Sequence, residues 1–146
     1  MADWAGAVAA MQARFKASFN AAPVEYQNED PPQLPWPPAS TPYVYFEVIE
    51  AKTVMRGVGL PGNKTWLTAG HIFIHVFVVK GYGLTAHLAL AGEAGEIFRA
   101  ATFYNGEPGA KVVCFAPSVQ GGDSSSDDGN WFGVTVAIPF EFYFIA

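Results

Sequence analysis

The sequence predicts an α+β fold: a mixed, mainly antiparallel β-sheet of about four strands with two helices packed on one face. Three observations predict it. Two stretches repeat apolar residues at helical spacing, and four segments alternate as strands do. Their order is helix, arm, strand, long loop, strand, helix, strand, loop, strand.

Trp4, Val8, Met11, Phe15 and Phe19 recur at intervals of four, three, four and four, an apolar stripe on one helix face. Asp3 is placed to cap that helix and Pro23 blocks its continuation, so it is expected over about residues 3–20. Residues 21–42 hold seven of the eleven prolines and read as an extended, stiff arm that connects elements or lies on a neighbouring subunit. Within it Val24, Glu25 and Tyr26 are a possible short strand.

Residues 43–55 form the first long strand, with Val44, Phe46 and Val48 on one face and Tyr45, Glu47 and Ile49 on the other. The Gly-, Pro- and Asn-rich run 56–64 then predicts a long hairpin loop. Residues 71–80 are a strand that is largely apolar on both faces, and Gly81-Tyr82-Gly83 ends it. A second helix is expected from Leu84 to about Ala101, with Leu84, Leu88, Ala91 and Phe98 near one face. Gly92 and Gly95 weaken it by about 1 kcal/mol each relative to alanine, and their expected use is close packing on the sheet. After a turn at 104–109, residues 111–116 are a short strand and 119–130 an acidic loop. Phe132, Val134, Val136, Ile138, Phe140, Phe142 and Phe144 share one face of a closing strand. Pro139 predicts a bulge or an edge position there.

A length of 146 residues fits one domain. Only 14% of residues are charged, against about 25% in average chains. With 51% hydrophobic residues, apolar surface must be hidden, and a subunit interface is the natural place. A net charge of −5 and eight Lys and Arg scattered along the chain give no basic face for nucleic acid. Cys114, the single cysteine, has no partner for an intramolecular disulfide, and a reducing compartment is compatible with it. Residues 1–11 lack the early Lys or Arg of a signal peptide. The longest apolar stretches fall short of the ~20 residues of a membrane helix, so the chain is expected to be soluble.

Candidate chemistry is sparse. Gly81-Tyr82-Gly83-Leu84-Thr85-Ala86 matches a relaxed dinucleotide fingerprint. A true site needs a parallel strand ending in Asp or Glu, whereas the strand after the helix ends Cys114-Phe115-Ala116-Pro117. The glycines are better read as letting helix and sheet approach. His71 and His75 stand roughly 13 Å apart on a strand, too far to share a metal, and nothing requires His87 to join either. Asp123-x-Ser125-x-Asp127 begins like a calcium loop, but Asp128 occupies the required glycine position and no closing Glu follows. No Ser, His and Asp set carries a nucleophile elbow. Cys114 lies in an apolar strand, where burial is the default. The sequence therefore predicts no catalytic residues, no cofactor and no metal.

The layout resembles the tail terminator, or tail completion, subunits of lambda-type long-tailed phages over nearly the whole chain. The resemblance lies in the amphipathic N-terminal helix and the run Asn28-Glu29-Asp30-Pro31-Pro32 leading into Tyr43-Val44-Tyr45-Phe46-Glu47-Val48. It continues through the loop opening Arg56-Gly57, the strand Ile72-Phe73-Ile74-His75-Val76, a helix ending Ile97-Phe98 and a closing strand beginning Trp131-Phe132. It implies a structural virion protein forming a ring, usually hexameric. The ring ends tail-tube polymerisation and offers its other face to the head-tail connector protein, with DNA passing through it. The implied place is the head-proximal end of the tail, reached from the host cytoplasm, with no catalysis and no membrane. Other readings are a head-completion or tube subunit, a ligand-binding or enzymatic α+β domain, or a generic oligomeric scaffold. The stretch 56–68 is the expected contact with the tail tube protein. There Trp66 and Leu67 would be the apolar anchor, and Arg56 and Lys64 the charged rim.

Overall fold

The computed structural model describes residues 2–38, 41–81, 83–123 and 131–146, without the side chains of 121–123. Its elements run α1 (Trp4–Ser18), β1 (Val24–Tyr26), β2 (Tyr43–Met55), β3 (Thr65–Val79), α2 (Thr85–Glu96), β4 (Thr102–Phe103), β5 (Lys111–Cys114), β6 (Ser118–Asp123) and β7 (Trp131–Ile145). The class is α+β, but the mixed sheet has seven strands rather than four, in the order β1-β2-β3-β7-β5-β4, with β6 also on β7. Only β1 and β2 run parallel; the other pairings are antiparallel. The additional strands β1, β4 and β6 are short, and long neighbours hold them in place.

Asp3 caps α1, its carboxylate accepting the Gly6 N–H at 2.8 Å. Met11 and Phe15 are buried from this helix. Phe15 stacks on Phe46 of β2 at 5.0 Å, and Trp4 stacks on Phe140 of β7 at 5.9 Å. Arg14 Nε donates to the Ile97 carbonyl at 2.9 Å, tying α1 to the end of α2. Both helices thus cover one sheet face. The core lies between them and Val44, Phe46, Ile72, Ile74, Val76, Val112, Val136, Ile138, Phe140 and Phe142.

The second helix ends earlier than its sequence pattern suggests. After Glu96 the chain tightens into shorter bonds, Phe98 N–H to Gly95 O and Arg99 N–H to Glu96 O, and Ala100 takes a left-handed φ of 51°. The buried seam is also rotated. His87, Ala91, Ala94 and Gly95 face the sheet, while Leu84 and Leu88 are 49% and 40% exposed. The cause is His87, whose Nε2 lies 2.8 Å from the Val76 carbonyl and so takes the seam position. Gly95 packs closely as expected: a Cβ there would meet Pro117 at 3.0 Å and Val136 at 3.1 Å. Gly92 does not, since a Cβ there meets nothing within 4 Å.

Pro139 is neither at an edge nor at a bulge. It pairs in unbroken register with His71, in a strand flanked on both sides. Its carbonyl accepts the Phe115 N–H at 3.0 Å, on the flank where β5 stops and β6 has not begun. A residue's N and C=O point to the same side of a strand. The missing N–H therefore faces that break, and no ladder bond is lost. Residues 119–123, expected in the acidic loop, belong to β6, and residues 124–130 lie outside the described residues. The strand expected at 71–80 starts at Thr65, because residues 65–70 pair with both β2 and β7. The proline arm bends rather than running extended over 32–37, and Trp36 packs edge-on against Tyr43 at 5.2 Å.

Burial pushes the Cys114 thiol up to about 12 from 9.0, with the Arg14 charge opposing. Burial, helped by the Glu29 carboxylate, likewise pushes Tyr26 up to about 12 from 10.0. Both groups stay protonated in the fold, whereas the unfolded chain releases their protons from about pH 9 to 10. Their contribution is complete below pH 9 and is lost as pH rises towards 12. The urea midpoint should therefore fall between about pH 9 and pH 11. A midpoint that stays level, or alkylation of Cys114 in the folded protein, would show that the thiol reaches water.

Candidate functional site

The sheet face away from the helices carries a continuous run of aromatic and polar side chains. Register places Tyr43, Phe77 and Gly133 in one row, and Tyr45, His75 and Thr135 in the next. Glu47, Phe73 and Ala137 follow, then Ile49, His71 and Pro139. Tyr43 stacks on Phe77 at 4.8 Å and meets Trp131 edge-on at 4.9 Å. Tyr45 and Phe73 flank the His75 ring at 6.0 and 6.2 Å. Tyr43, Tyr45, Glu47, Phe73, His75 and Phe77 are half-buried, with Trp36 of the proline arm against Tyr43 and no helix above them.

His75 joins three strands. Its Nε2 lies 2.7 Å from Glu47 Oε1 on β2, and its Nδ1 lies 2.9 Å from Thr135 Oγ1 on β7. Carboxylate, imidazole and hydroxyl stand in the order of a hydrolase triad, but on an open sheet face. The arrangement locks register across β2, β3 and β7. Glu25 of β1 lies beside Tyr45 on the same face. Its charge and that of Glu47 add to burial, the larger cause, in raising the Tyr45 hydroxyl above its ordinary value. A cavity of about 120 Å³ lies elsewhere, lined by Ala2, Tyr104, Gly106 and Glu107. That is well below the roughly 300–1,000 Å³ of ligand pockets.

His87 is buried on the helix side, so it cannot join His71 or His75 on the opposite face. Among the described residues no group of three or more His, Cys, Asp or Glu is placed to hold a metal. Among them, too, no helix is long and apolar enough to cross a membrane. The strands on either side of β3 are antiparallel to it, so the Gly81 and Gly83 turn lacks the parallel pair of a dinucleotide site.

The β2–β3 hairpin forms the far end of this sheet. Its loop spans residues 56–64, closed by the Arg56 N–H donating to the Thr65 carbonyl at 2.8 Å, and residues 65–68 of the expected contact stretch belong to β3. Lys64 and Ala146 exchange backbone bonds of 3.0 and 2.9 Å, which fixes the hairpin base to the end of β7. The expected apolar anchor is corrected in part. Leu67 is 2% exposed, between Val54 and Tyr143, and cannot present itself to a partner. Trp66 is half-buried in β3, its indole N–H donating to the Ala146 carbonyl at 3.1 Å. The apolar side chains at the tip are Val58, 96% exposed, and Leu60, 77% exposed. They lie between Arg56 and Lys64 in the hairpin loop.

Cations scattered in sequence gather here. Lys52, Arg56, Lys64 and Lys111 are half of the eight Lys and Arg, brought together by pairing of β2, β3, β7 and β5. Among the described residues none of the four is in an ion pair; Lys111 lies 5.4 Å from the centre of the Tyr143 ring. Register also places Glu141 in the row of Lys52, and Glu50 accepts from Thr53 nearby, so among the described residues this end holds four cations against two carboxylate side chains, while Glu25 and Glu47 stand in the aromatic half.

No family model matches this chain, and no curated protein matches it. Among solved structures seven chains match. One of them, which carries no descriptive name, aligns with a TM-score of 0.66 over 94% of this chain and 94% of its own, at 22% identity. What the two chains share at that identity is the fold.

Proposed function

We propose that this chain is a tail terminator: a structural virion subunit that closes into a ring, caps the tail tube, stops its polymerisation and presents its other side for head-tail joining. The observation that carries the reading is the sheet face bare of helices, with its row of half-buried aromatic side chains from Tyr43 to Phe77. A domain with 14% charged residues that leaves such a face open has the surface of an assembled subunit. The order of elements adds to this, through the resemblance to lambda-type terminators. The task requires shape and interface, and no reacting group.

Purified protein should sediment and scatter light as a closed oligomer, about six times the 15.7 kDa subunit, at micromolar concentration and near-physiological salt. Negative-stain images should show rings. A strictly monomeric mass, together with failure to shorten or cap tails in an assembly reaction, would remove the reading. Rings found at the head or along the tube instead of the tail's upper end would assign the chain to another neck or tail component.

A further inference from the structure

We infer that the basic hairpin end of one copy docks on the acidic, aromatic half of the bare sheet face of the next copy, making the subunit contact of the ring. The inference rests on the ring reading and names the two surfaces that close it. A cyclic ring needs a head-to-tail contact between two different patches. The chain has two that match in chemistry. One is an apolar knob, Val58 and Leu60, with Arg56, Lys64 and Lys52 beside it. The other is an aromatic floor of Tyr43, Tyr45, Phe73 and Phe77, with Glu25 and Glu47 at its side.

Charge decides the occupant. The hairpin cations have no carboxylate partner within the described residues. Setting those four cations aside, the rest of the chain holds four Lys and Arg against thirteen Asp and Glu. On the bare face of a second copy, Glu25 and Glu47 beside the aromatic side chains offer the opposite sign to the hairpin. It also offers aromatic side chains, the residue type enriched at the centres of interfaces. The two patches lie towards opposite ends of a sheet whose longest strands span about 50 Å, so one subunit cannot satisfy its own hairpin.

The test uses two variants of the full chain. Arg56→Glu with Leu60→Asp changes the knob at positions that are exposed, so the fold should be kept. Glu25→Lys with Tyr45→Ala changes the floor. Each alone should weaken self-association at least about 30-fold, the scale of an interface hot spot. Mixed, they should form a 1:1 dimer and no ring, because one intact knob meets one intact floor. If the floor variant does not fold, the knob variant still decides, since its rings should be lost while its melt is unchanged. Wild-type association should also weaken as salt rises. Rings of unchanged mass from the knob variant overturn the inference and leave the ring reading intact, with the hairpin assigned to the tube. Loss of binding to a short DNA duplex in that variant, with rings unchanged, overturns it in favour of a phosphate contact. A wild-type protein that never self-associates fails the ring reading itself.

Discussion

Val136→Asp should leave no cooperatively folded protein at neutral pH. Val136 is fully buried at the centre of β7, between Ile74 of β3 and Val119 of β6 in register, and Gly95 of α2 packs directly over it. Arg14, the cation at this end of α2, already donates its Nε to the Ile97 carbonyl, and Lys16 and Arg99 pair with Glu29 and Glu96 at the surface. An unpaired buried carboxylate costs several kcal/mol after all relaxation, against a total stability of about 5–15 kcal/mol. Holding the carboxyl protonated lessens the cost, so any residual fold should improve as pH is lowered towards 4. Phe132→Ala is the control on the same strand. Phe132 is only half-buried and meets His87 edge-on at 5.3 Å, so its loss should lower the melting temperature without abolishing the transition. A Val136→Asp protein melting within a few degrees of wild type would mean that β7 does not present this face to the helices.

The same strand shows what the sequence makes legible. Seven apolar residues on one parity, from Phe132 to Phe144, announce a long strand with one buried face, and it forms as the central strand of the sheet. The helix of Trp4, Met11 and Phe15 and the two-faced strand around His75 are as clear, because each pattern runs over several periods. Features settled by distant neighbours are not legible. Pro139 reads as an edge signal, but a gap between two other strands receives its missing donor. Thr65 to Gly70 follow a glycine-rich turn and read as loop, until β2 and β7 pair with them on either side. β6, with its Ser and Gly residues, has little strand propensity of its own and borrows its conformation from β7. In α2 the apolar pattern alone puts Leu84 and Leu88 inwards, and one hydrogen bond from His87 rotates them out.

The surfaces follow the same division. That a face of β3 would be apolar yet lack a partner is readable from Phe73, Phe77 and Val79 opposite Ile72, Ile74 and Val76. That Lys111 joins Lys52, Arg56 and Lys64 of the hairpin is not, because it lies far off in sequence and only the register of β5 on β7 brings it there. Leu67, expected at the apolar anchor, is buried instead. On β3 it has the parity of Phe73 and Phe77, and it lies between Val54 and Tyr143 in register, neighbours that residues 56–68 alone do not announce.

Phe15→Ala should cost about 3–5 kcal/mol, the usual range for removing a packed phenylalanine. Its ring is fully buried and stacks on Phe19 at 4.8 Å, Phe46 at 5.0 Å and Phe98 at 6.1 Å. One side chain thus joins α1, the sheet and the turn after α2. Alanine would leave a cavity bounded by three rings that sit on different elements, and none can follow inward without breaking its own stack. The substitution leaves backbone bonds and the Asp3 cap untouched, so the loss is one of packing. It should therefore lower the urea midpoint with little change in slope, and amide exchange along α1 should rise before that of β3 and β7. Phe15→Leu refills most of the volume and should recover more than half of the loss. A Phe15→Ala protein with wild-type stability would show that α1 is held through Trp4 and Arg14 alone. In that case the Phe15, Phe46 and Phe98 stack would not be the joint between helix and sheet.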